Sequence, residues 1–237
     1  MGNNQHLKRT SAPAAWPIKR KNIAFIAKPN SGSHQEKYVI PAVVLLRDVL
    51  GYAQTSKEVK QLVNQEEIIV NGKTIKDIKF PVGLFDVLEL KTTSEKYTML
   101  FDNFGKVKLV AVKDDLIFLK VAGKTQLKGG KFQLNYMNGF NTIVDEKTFK
   151  TAKVEDTVVY NFVKKSVDKV LSLVEGAQVY FFDGKFKGQF GEVKEFEMYN
   201  GLTKDVVKVQ IGEDLHNTAK DYAYVIGTKK TDVKRFA

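Results

Sequence analysis

The sequence predicts an α+β protein built from several small domains. Two stretches with helical spacing and a tight hairpin fall within residues 41–75, and alternating apolar and polar residues predict strands from Tyr97 onward. A glycine-rich segment follows a further strand at residues 177–182. The chain of 237 residues is longer than one average domain of about 150 residues, so we expect more than one domain. From the patterns along the chain we place the boundaries at residues 1–37, 38–95, 96–173 and 174–237.

Composition points to an anionic partner. The formal net charge is +11 and the pI is about 9.5, which favours a nucleic acid or an acidic membrane surface. The membrane is the weaker choice, because no apolar run approaches the roughly 20 residues needed to span a bilayer. The absence of cysteine excludes disulfides, cysteine-ligated zinc and thiol catalysis. The N-terminus lacks the apolar core of a signal peptide, so we expect a cytoplasmic protein.

The first 37 residues predict an extended basic arm. Residues 1–35 carry a net charge of +6 and no acidic residue, and interspersed prolines prevent long helices. We expect such an arm to stay mobile until it meets an anion. Trp16, the single tryptophan, either stacks on a base or packs the arm against its own domain. The candidate RNA contacts in the arm are Lys8, Arg9, Trp16, Lys19, Arg20 and Lys21.

Residues 38–95 begin with two short helices. Pro41 suits the first position of a helix and Gly51 suits the left-handed residue just past a helix end, so the first helix runs between them. Thr55 followed by Glu58 is a capping-box pattern that starts a second helix, which ends near Gln65.

A polar stripe and a turn lie close together in this domain. Asn71-Gly72 between two apolar runs predicts a two-residue hairpin turn that presents Lys73. The second helix has polar residues at i, i+3, i+4 and i+7, namely Lys57, Lys60, Gln61 and Asn64. The stripe is either a grip for a polyanion or only a solvated helix face.

These residues resemble a known RNA-binding module. Arg47-Asp48, residues 55–60 and residues 69–73, in this order and at these separations, are similar to the αL RNA-binding domain of several ribosomal and RNA-modifying proteins. In that family the basic residues of both helices and of the turn lie against RNA backbone. Many members of that family carry arginine at the positions of Lys57 and Lys60. Because lysine lacks the planar fork of arginine, bidentate phosphate contacts are weaker here. The resemblance implies RNA contacts at Arg47, Lys57, Lys60, Asn71 and Lys73.

From about Tyr97 to Leu173 the pattern predicts a mostly β central domain. Residues 102–105 and Gly129-Gly130 are turn signals, and residues 106–112 alternate apolar with polar side chains. The residues of this domain do not indicate its function.

The last part of the chain predicts a small barrel. Residues 183–191 hold three glycines, two lysines and two phenylalanines directly after a strand, a segment that resembles the KOW motif of SH3-like β-barrels. Lys185 and Lys187 are the candidate RNA contacts, whereas Phe186 and Phe190 either offer aromatic faces or fill the core. A basic tail follows, with Lys229, Lys230, Lys234 and Arg235.

Further motifs extend the resemblance along the chain. Residues 6–9, 12–13 and 16–21, then 46–53, 79–87 and 154–158, are similar to the small-subunit ribosomal protein family usually called S-four-e of archaea and eukaryotes, most of all to its archaeal members. This resemblance implies a structural constituent of the small ribosomal subunit that binds 16S-type rRNA and stabilises its fold. The implied partners are small-subunit rRNA and neighbouring ribosomal proteins, in the cytoplasmic ribosome.

No catalytic chemistry is predicted. The three histidines are scattered, and Gly123-Lys124-Thr125 lacks the earlier glycine of a phosphate-binding loop. We therefore expect no catalytic residue, metal site, cofactor or small-molecule substrate, and no membrane partner. The alternative function is a free RNA-binding regulatory or transcription-associated factor that uses the same αL and KOW modules.

Overall fold

The computed structural model describes residues 6–197 and 205–227. Within them the chain is mostly strand with few helices, which agrees with the β-rich, multidomain part of the predicted α+β fold. Contacts divide it into two compact units: one reaches Leu100 and includes Lys106–Asp115, and the other combines Phe101–Gly105 with the residues from Leu116 onward. In the described part of the chain, no helix is long and apolar enough to cross a membrane.

The N-terminal segment of the first unit is folded, not extended. Strands β1 (Leu7–Lys8) and β2 (Phe25–Ile26) pair antiparallel, and short 3-10 turns form at Arg9–Ser11 and Glu36–Tyr38. Ala12, Trp16 and Ile26 are buried. The predicted extended arm is therefore wrong for these residues, because part of the segment packs into an apolar core.

The two predicted helices are present with one change. Helix α1 (Ala42–Val44) continues as a π-helical turn, Leu45–Val49, and Gly51 follows with φ +67°. Pro41 is the N-cap residue and not the first helical residue, because its backbone is extended (φ −71°, ψ 143°) and pairs with Pro81 in a short two-stranded sheet. Helix α2 (Ser56–Asn64) begins and ends close to its predicted bounds.

The sheet of the first unit extends beyond the predicted domain boundary. Its strand order is β5-β4-β7-β8-β9, while β3 (Ile40–Pro41) pairs separately with β6 (Pro81–Val82). Strands β8 and β9, which the sequence assigned to the central domain, therefore continue the sheet of the helical domain. The five strands are β4 (Ile68–Val70), β5 (Lys73–Thr74), β7 (Val87–Leu90), β8 (Glu95–Phe101) and β9 (Val107–Val112).

The second unit contains two antiparallel sheets, and the first of them has the strand order β12-β11-β10-β13-β14. Helix α3 (Glu146–Thr151) follows β12 and lies against β11. The strands of this sheet are β10 (Leu116–Gln126), β11 (Phe132–Tyr136), β12 (Asn141–Val144), β13 (Thr157–Asn161) and β14 (Ser166–Leu171).

The second sheet has the strand order β18-β17-β16-β15-β19. Its apolar core includes Val179, Phe181, Val193, Val207 and Val209, all fully buried. A 3-10 turn, Lys220–Tyr222, precedes the last strand. The strands are β15 (Gln178–Phe181), β16 (Phe190–Glu197), β17 (Val206–Ile211), β18 (Asp214–Ala219) and β19 (Ala223–Gly227).

Polar contacts join these two sheets. The ammonium group of Lys120, on β10, is buried and donates hydrogen bonds to the carbonyls of Lys220, Asp221 and Ala223 at 3.2, 2.6 and 2.9 Å. Burial lowers the pKa of Lys120 to about 8, although neighbouring carboxylates oppose this effect. The hydroxyl of Thr157 also accepts a hydrogen bond from the backbone N–H of Val225 at 2.9 Å.

Candidate nucleic-acid interface

Helix α2 presents the predicted polar stripe to solvent. Val59 and Val63 are buried, whereas Lys57, Lys60, Gln61 and Asn64 are all exposed. The 100° turn per residue explains this division, because the two valines lie on the face opposite to the stripe. The two lysines have no hydrogen bond or ion pair among the described residues, so their ammonium groups are available to a ligand.

A capping box fixes the start of this helix. The backbone N–H of Glu58 donates to the hydroxyl of Thr55 at 3.3 Å, and the backbone N–H of Gln54 donates to the carboxylate of Glu58 at 2.8 Å. The hydrogen bond from Gln54, together with that from the Thr55 hydroxyl, lowers the pKa of Glu58. The position of the first turn, and with it that of Lys57, is set by these contacts.

The hairpin turn adopts the predicted geometry. Asn71 and Gly72 have φ values of +51° and +73°, which is the pattern of a type I′ turn, and Lys73 is exposed beside them. The amide of Asn71 is engaged inside the protein: its oxygen accepts from the N–H of Val87 at 2.8 Å and its nitrogen donates to Asp86 at 2.7 Å. Asn71 therefore shapes the turn, and its predicted RNA contact stays a prediction.

The turn is held by a buried carboxylate. Asp86 also accepts the backbone N–H of Gly83 at 2.8 Å, and Nε2 of His34 lies 2.8 Å from its Oδ2. Burial disfavours protonated His34, but the attraction and hydrogen bond of Asp86 outweigh it, so the pKa of His34 is raised. A Cβ at Gly83 would lie 2.3 Å from the imidazole, so only glycine leaves room for the ring.

Arg47 is half-buried and already paired. Its guanidinium makes two bonds to the Asp48 carboxylate, at 3.1 and 2.7 Å, and donates to the hydroxyl of Ser56 at 2.9 Å. These bonds orient the guanidinium at the start of α2. An RNA contact at Arg47, which the resemblance implies, stays a prediction and would have to share donors with Asp48.

The two arginines of the N-terminal segment serve its fold. Arg9 is 4% exposed and donates to the carbonyl of Lys19 at 3.0 Å. Arg20 donates to the carbonyls of Ala12 and Pro13, each at 2.9 Å. These carbonyls belong to irregular backbone, and the guanidinium groups supply hydrogen-bond donors to them. The carbonyl of Pro13 also accepts from the backbone N–H of Trp16 at 3.2 Å.

Trp16 is an anchor and not an exposed stacking platform. Its side chain is 3% exposed, and the indole N–H donates to the carbonyl of Val39 at 2.9 Å. Of the two interpretations left open by the sequence, packing against its own domain is the one observed. Lys8, Lys19 and Lys21 remain exposed around this anchored segment.

The two lysines of the glycine-rich segment in the second unit have different surroundings. Lys185 is exposed, and its ammonium lies 5.5 Å from the ring centroid of its neighbour Phe186, whereas the ammonium of Lys187 lies only 3.6 Å from that of Phe101. Phe186 packs on the apolar core and stacks on His216 at 4.5 Å, and Phe190 lies 5.1 Å from the ring of Tyr180. Both phenylalanines are thus partly buried against other aromatic rings. The basic tail lies outside the described residues.

One exposed aromatic was missed in the sequence. Phe104 is 88% exposed in the turn 102–105, where Gly105 donates to the carbonyl of Asp102 at 2.8 Å. This turn packs so closely that a Cβ at Gly188 would lie 1.8 Å from the same carbonyl oxygen. The turn predicted at residues 102–105 could have indicated that Phe104 is exposed, because the third residue of a turn commonly points outward.

Acidic and histidine side chains do not form a metal site in the described ranges, where no group of three or more could hold an ion.

Family models match three parts of the chain. The RS4NT (NUC023) domain covers residues 1–37, the S4 domain covers residues 43–88, and the ribosomal family S4e covers residues 93–167. The first two ranges agree closely with the N-terminal segment and with the two helices and hairpin described above.

Full-length relatives and a solved structure agree with these matches. The small ribosomal subunit protein eS4 of Archaeoglobus fulgidus is 37% identical, over 96% of this chain and 95% of its own. That of Methanocella arvoryzae is 34% identical, over 94% of each chain. The crystal structure of the 30S ribosomal protein S4e from Thermoplasma acidophilum has the same fold, with a TM-score of 0.68 over 81% of this chain and 97% of that one, at 24% identity. The predicted family is therefore confirmed, and the chain belongs to the S4e family of small-subunit ribosomal proteins.

Proposed function

We propose that this protein is a structural constituent of the small ribosomal subunit that binds 16S-type rRNA and stabilises its fold. The observation that carries this function is the exposure of three lysines on α2 and the hairpin turn, Lys57, Lys60 and Lys73. These side chains stand on elements whose geometry is fixed by the capping box and by the bonds of Asn71 to Asp86 and Val87.

The positive charge of these three lysines suits contacts with the RNA backbone. Each lysine that neutralises a phosphate releases condensed counterions, which makes binding favourable and strongly dependent on salt. The exposed Lys8, Lys19 and Lys21 add positive charge to the same unit. Arg9 and Trp16 are left out of the proposed contacts because both side chains are buried.

We assign a supporting role to the sheet formed by β15–β19. Its five strands and glycine-rich segment are consistent with an SH3-like barrel that carries a KOW motif. Lys185 is the proposed RNA contact there, whereas Lys187 would have to leave the ring of Phe101.

A scaffold role also determines which binding partners are expected. Its partners would be small-subunit rRNA and neighbouring ribosomal proteins in the cytoplasmic ribosome, with no small-molecule substrate and no catalytic step. The alternative, a free regulatory factor, is less favoured because the named eS4 relatives match along nearly the whole of both chains.

The first test is fractionation of a native cell extract on sucrose gradients at low and high salt, with the chain located by mass spectrometry. We expect it in the small-subunit fraction even after the high-salt wash. Its presence at the top of the gradient at both salt concentrations would contradict the proposal and favour the free factor.

The second test measures binding of the purified full chain to 16S-type rRNA as a function of salt. The logarithm of the affinity should fall linearly with the logarithm of salt concentration, by about 0.7 to 0.9 per phosphate neutralised. Weak binding with no salt dependence would contradict the proposal.

A further inference from the structure

The central part of the second unit contains a long stretch that has lysines but no acidic residues. Residues 116–144 include four lysines and no aspartate or glutamate, and only residues 1–35 form a longer acid-free run in the chain. The stretch folds into β10, β11 and β12. Because acidic side chains repel phosphate, their absence over three neighbouring strands leaves a surface compatible with a polyanion.

The tip of the β10–β11 hairpin carries two available cations. Lys128 and Lys131 are exposed, and neither side chain has a hydrogen bond or an ion pair within the described ranges. Between them Gly129 and Gly130 have φ values of +80° and +71°, and a Cβ on either would meet no atom within 4 Å. The tip therefore combines two exposed lysines with two glycines that have open space beside them.

One face of these three strands is covered by α3. The rings of Phe132 and Phe149 lie 4.7 Å apart, and Leu134 is fully buried on the same face. Lys124 also points to this side, because its ammonium donates to the carbonyl of Ala152 at 2.7 Å. These contacts account for the apolar side chains of the hairpin.

The opposite face is polar. Antiparallel partners place their side chains on the same face, so two cross-strand rows can be read from the register. They are Gly123–Asn135–Asn141 and Thr125–Gln133–Ile143. Ile143, 64% exposed, is the one apolar side chain among them.

Hydrogen bonds order this polar face and leave part of its capacity unused. Gln133 donates to the amide oxygen of Asn135 at 2.5 Å, and Asn135 donates to the hydroxyl of Thr125 at 2.9 Å. Each of these amides still has a second N–H, and the exposed Asn141 side chain makes no hydrogen bond in the described part of the chain. Donors and acceptors are thus presented in a fixed array.

Such an array fits the sugar edge of RNA. The wide, shallow minor groove of an A-form helix displays 2′-hydroxyls, which both donate and accept, and the phosphates flank it. Amides and a hydroxyl on a flat sheet can meet the 2′-hydroxyls while lysines at one end meet phosphates. A protein partner is less favoured, because the face has a single apolar anchor and its nearby charges are lysines.

We propose that the hairpin tip and the polar face of β10, β11 and β12 form a second RNA-binding surface, which contacts the sugar-phosphate backbone of an rRNA helix. This inference rests on the proposed function but uses residues that lie apart in sequence from the α2 stripe. It gives the central domain a role that its sequence did not indicate.

The test compares two full-length variants that lose the same charge. Lys128→Gln with Lys131→Gln removes the tip cations, and Lys164→Gln with Lys169→Gln removes two exposed lysines of the β13–β14 hairpin. The salt slope of 16S-type rRNA binding should fall by about two for the tip variant and stay unchanged for the control. Asn141→Ala should weaken binding without changing the slope.

A second measurement locates the contact directly. The chain has no cysteine, so Lys131→Cys and Lys164→Cys each give a single site for a tethered hydroxyl-radical probe. Cleavage of rRNA in the assembled subunit from position 131 but not from position 164 is expected.

Three outcomes separate the claims. If the unaltered chain binds rRNA and the tip variant behaves like its control, this inference is wrong while the proposed function stands. If position 131 cleaves no rRNA in the assembled subunit, the surface faces a protein or solvent and the inference is again overturned. If the unaltered chain itself fails to bind rRNA, both fail together.

Discussion

The N-terminal segment and the α2–β5 region are similarly rich in cations but use them differently. In the N-terminal segment Arg9 and Arg20 donate to backbone carbonyls, whereas Lys57, Lys60 and Lys73 face solvent and have no partner among residues 6–197 and 205–227. The difference follows from the backbone, because irregular chain leaves carbonyls unpaired while a helix and a hairpin satisfy their own. A count of basic residues therefore overestimates the number of RNA contacts wherever regular structure is absent.

The largest expected effect tests whether the N-terminal segment belongs to the fold. Trp16→Ala should reduce the free energy of unfolding by about 3–5 kcal/mol, because it removes a buried aromatic side chain and its bond to Val39. Urea denaturation followed by circular dichroism measures it. Trp16→Phe, which keeps most of the volume, should cost much less. A loss below about 1 kcal/mol for the alanine variant would mean that the segment is not anchored.

The next effect concerns the helical stripe. Lys57→Glu with Lys60→Glu should abolish most of the salt-dependent affinity for 16S-type rRNA, since two phosphate contacts become repulsions. Stability should change by no more than about 0.5 kcal/mol, because both side chains are exposed. Lys91→Glu with Lys113→Glu is the matched control in the same unit. An unfolded stripe variant in thermal melting would show that the buried face of α2 is misassigned.

A pair of single substitutions sharpens the comparison within the N-terminal segment. Arg20→Gln should cost about 1–3 kcal/mol of stability, because the carbonyl of Ala12 loses the guanidinium donor and that of Pro13 keeps only the N–H of Trp16. Lys21→Gln should leave stability within about 0.5 kcal/mol and lower the salt slope of RNA binding by about one. Equal stability of the two variants would contradict the division between structural arginines and exposed lysines.

The smallest effect is a pH dependence at the junction of the two regions. The pKa of His34 is raised in the folded protein, so protonated His34 contributes stability below its unfolded-state pKa of about 6.5. That contribution is lost as pH rises through the folded-state pKa. The free energy of unfolding should therefore fall as the pH rises from about 6.5 through the raised folded-state pKa, and His34→Gln should flatten this pH dependence. An identical slope in the variant would assign the pH dependence to other groups.

Local signals predicted the helical domain well. The capping box of Thr55, the turn at Asn71-Gly72 and the left-handed Gly51 each depend on residues within a few positions, and all three are present. The fold of the N-terminal segment depends instead on the bond from Trp16 to Val39, 23 positions away, which no local pattern reports. The same limit hid the continuation of the first sheet into β8 and β9.

The candidate site likewise has some features that local sequence predicts and others that only the tertiary fold determines. Exposure of Lys57 and Lys60 follows from helical periodicity and could be predicted. The capture of Lys187 by the ring of Phe101, and of Asn71 by Asp86, requires contacts made by the tertiary fold. The polar face of β10–β12 could have been suspected from the acid-free run alone, but its orientation needed the strand register.

The buried ammonium of Lys120 has a consequence for how the chain is made. Its three acceptors, at Lys220, Asp221 and Ala223, follow it by about a hundred positions and leave the translating ribosome long after β10 has emerged. A nascent chain that stops before residue 220 contains none of the three carbonyls that accept hydrogen bonds from this ammonium group. The central sheet should therefore complete its folding only when synthesis has passed β19.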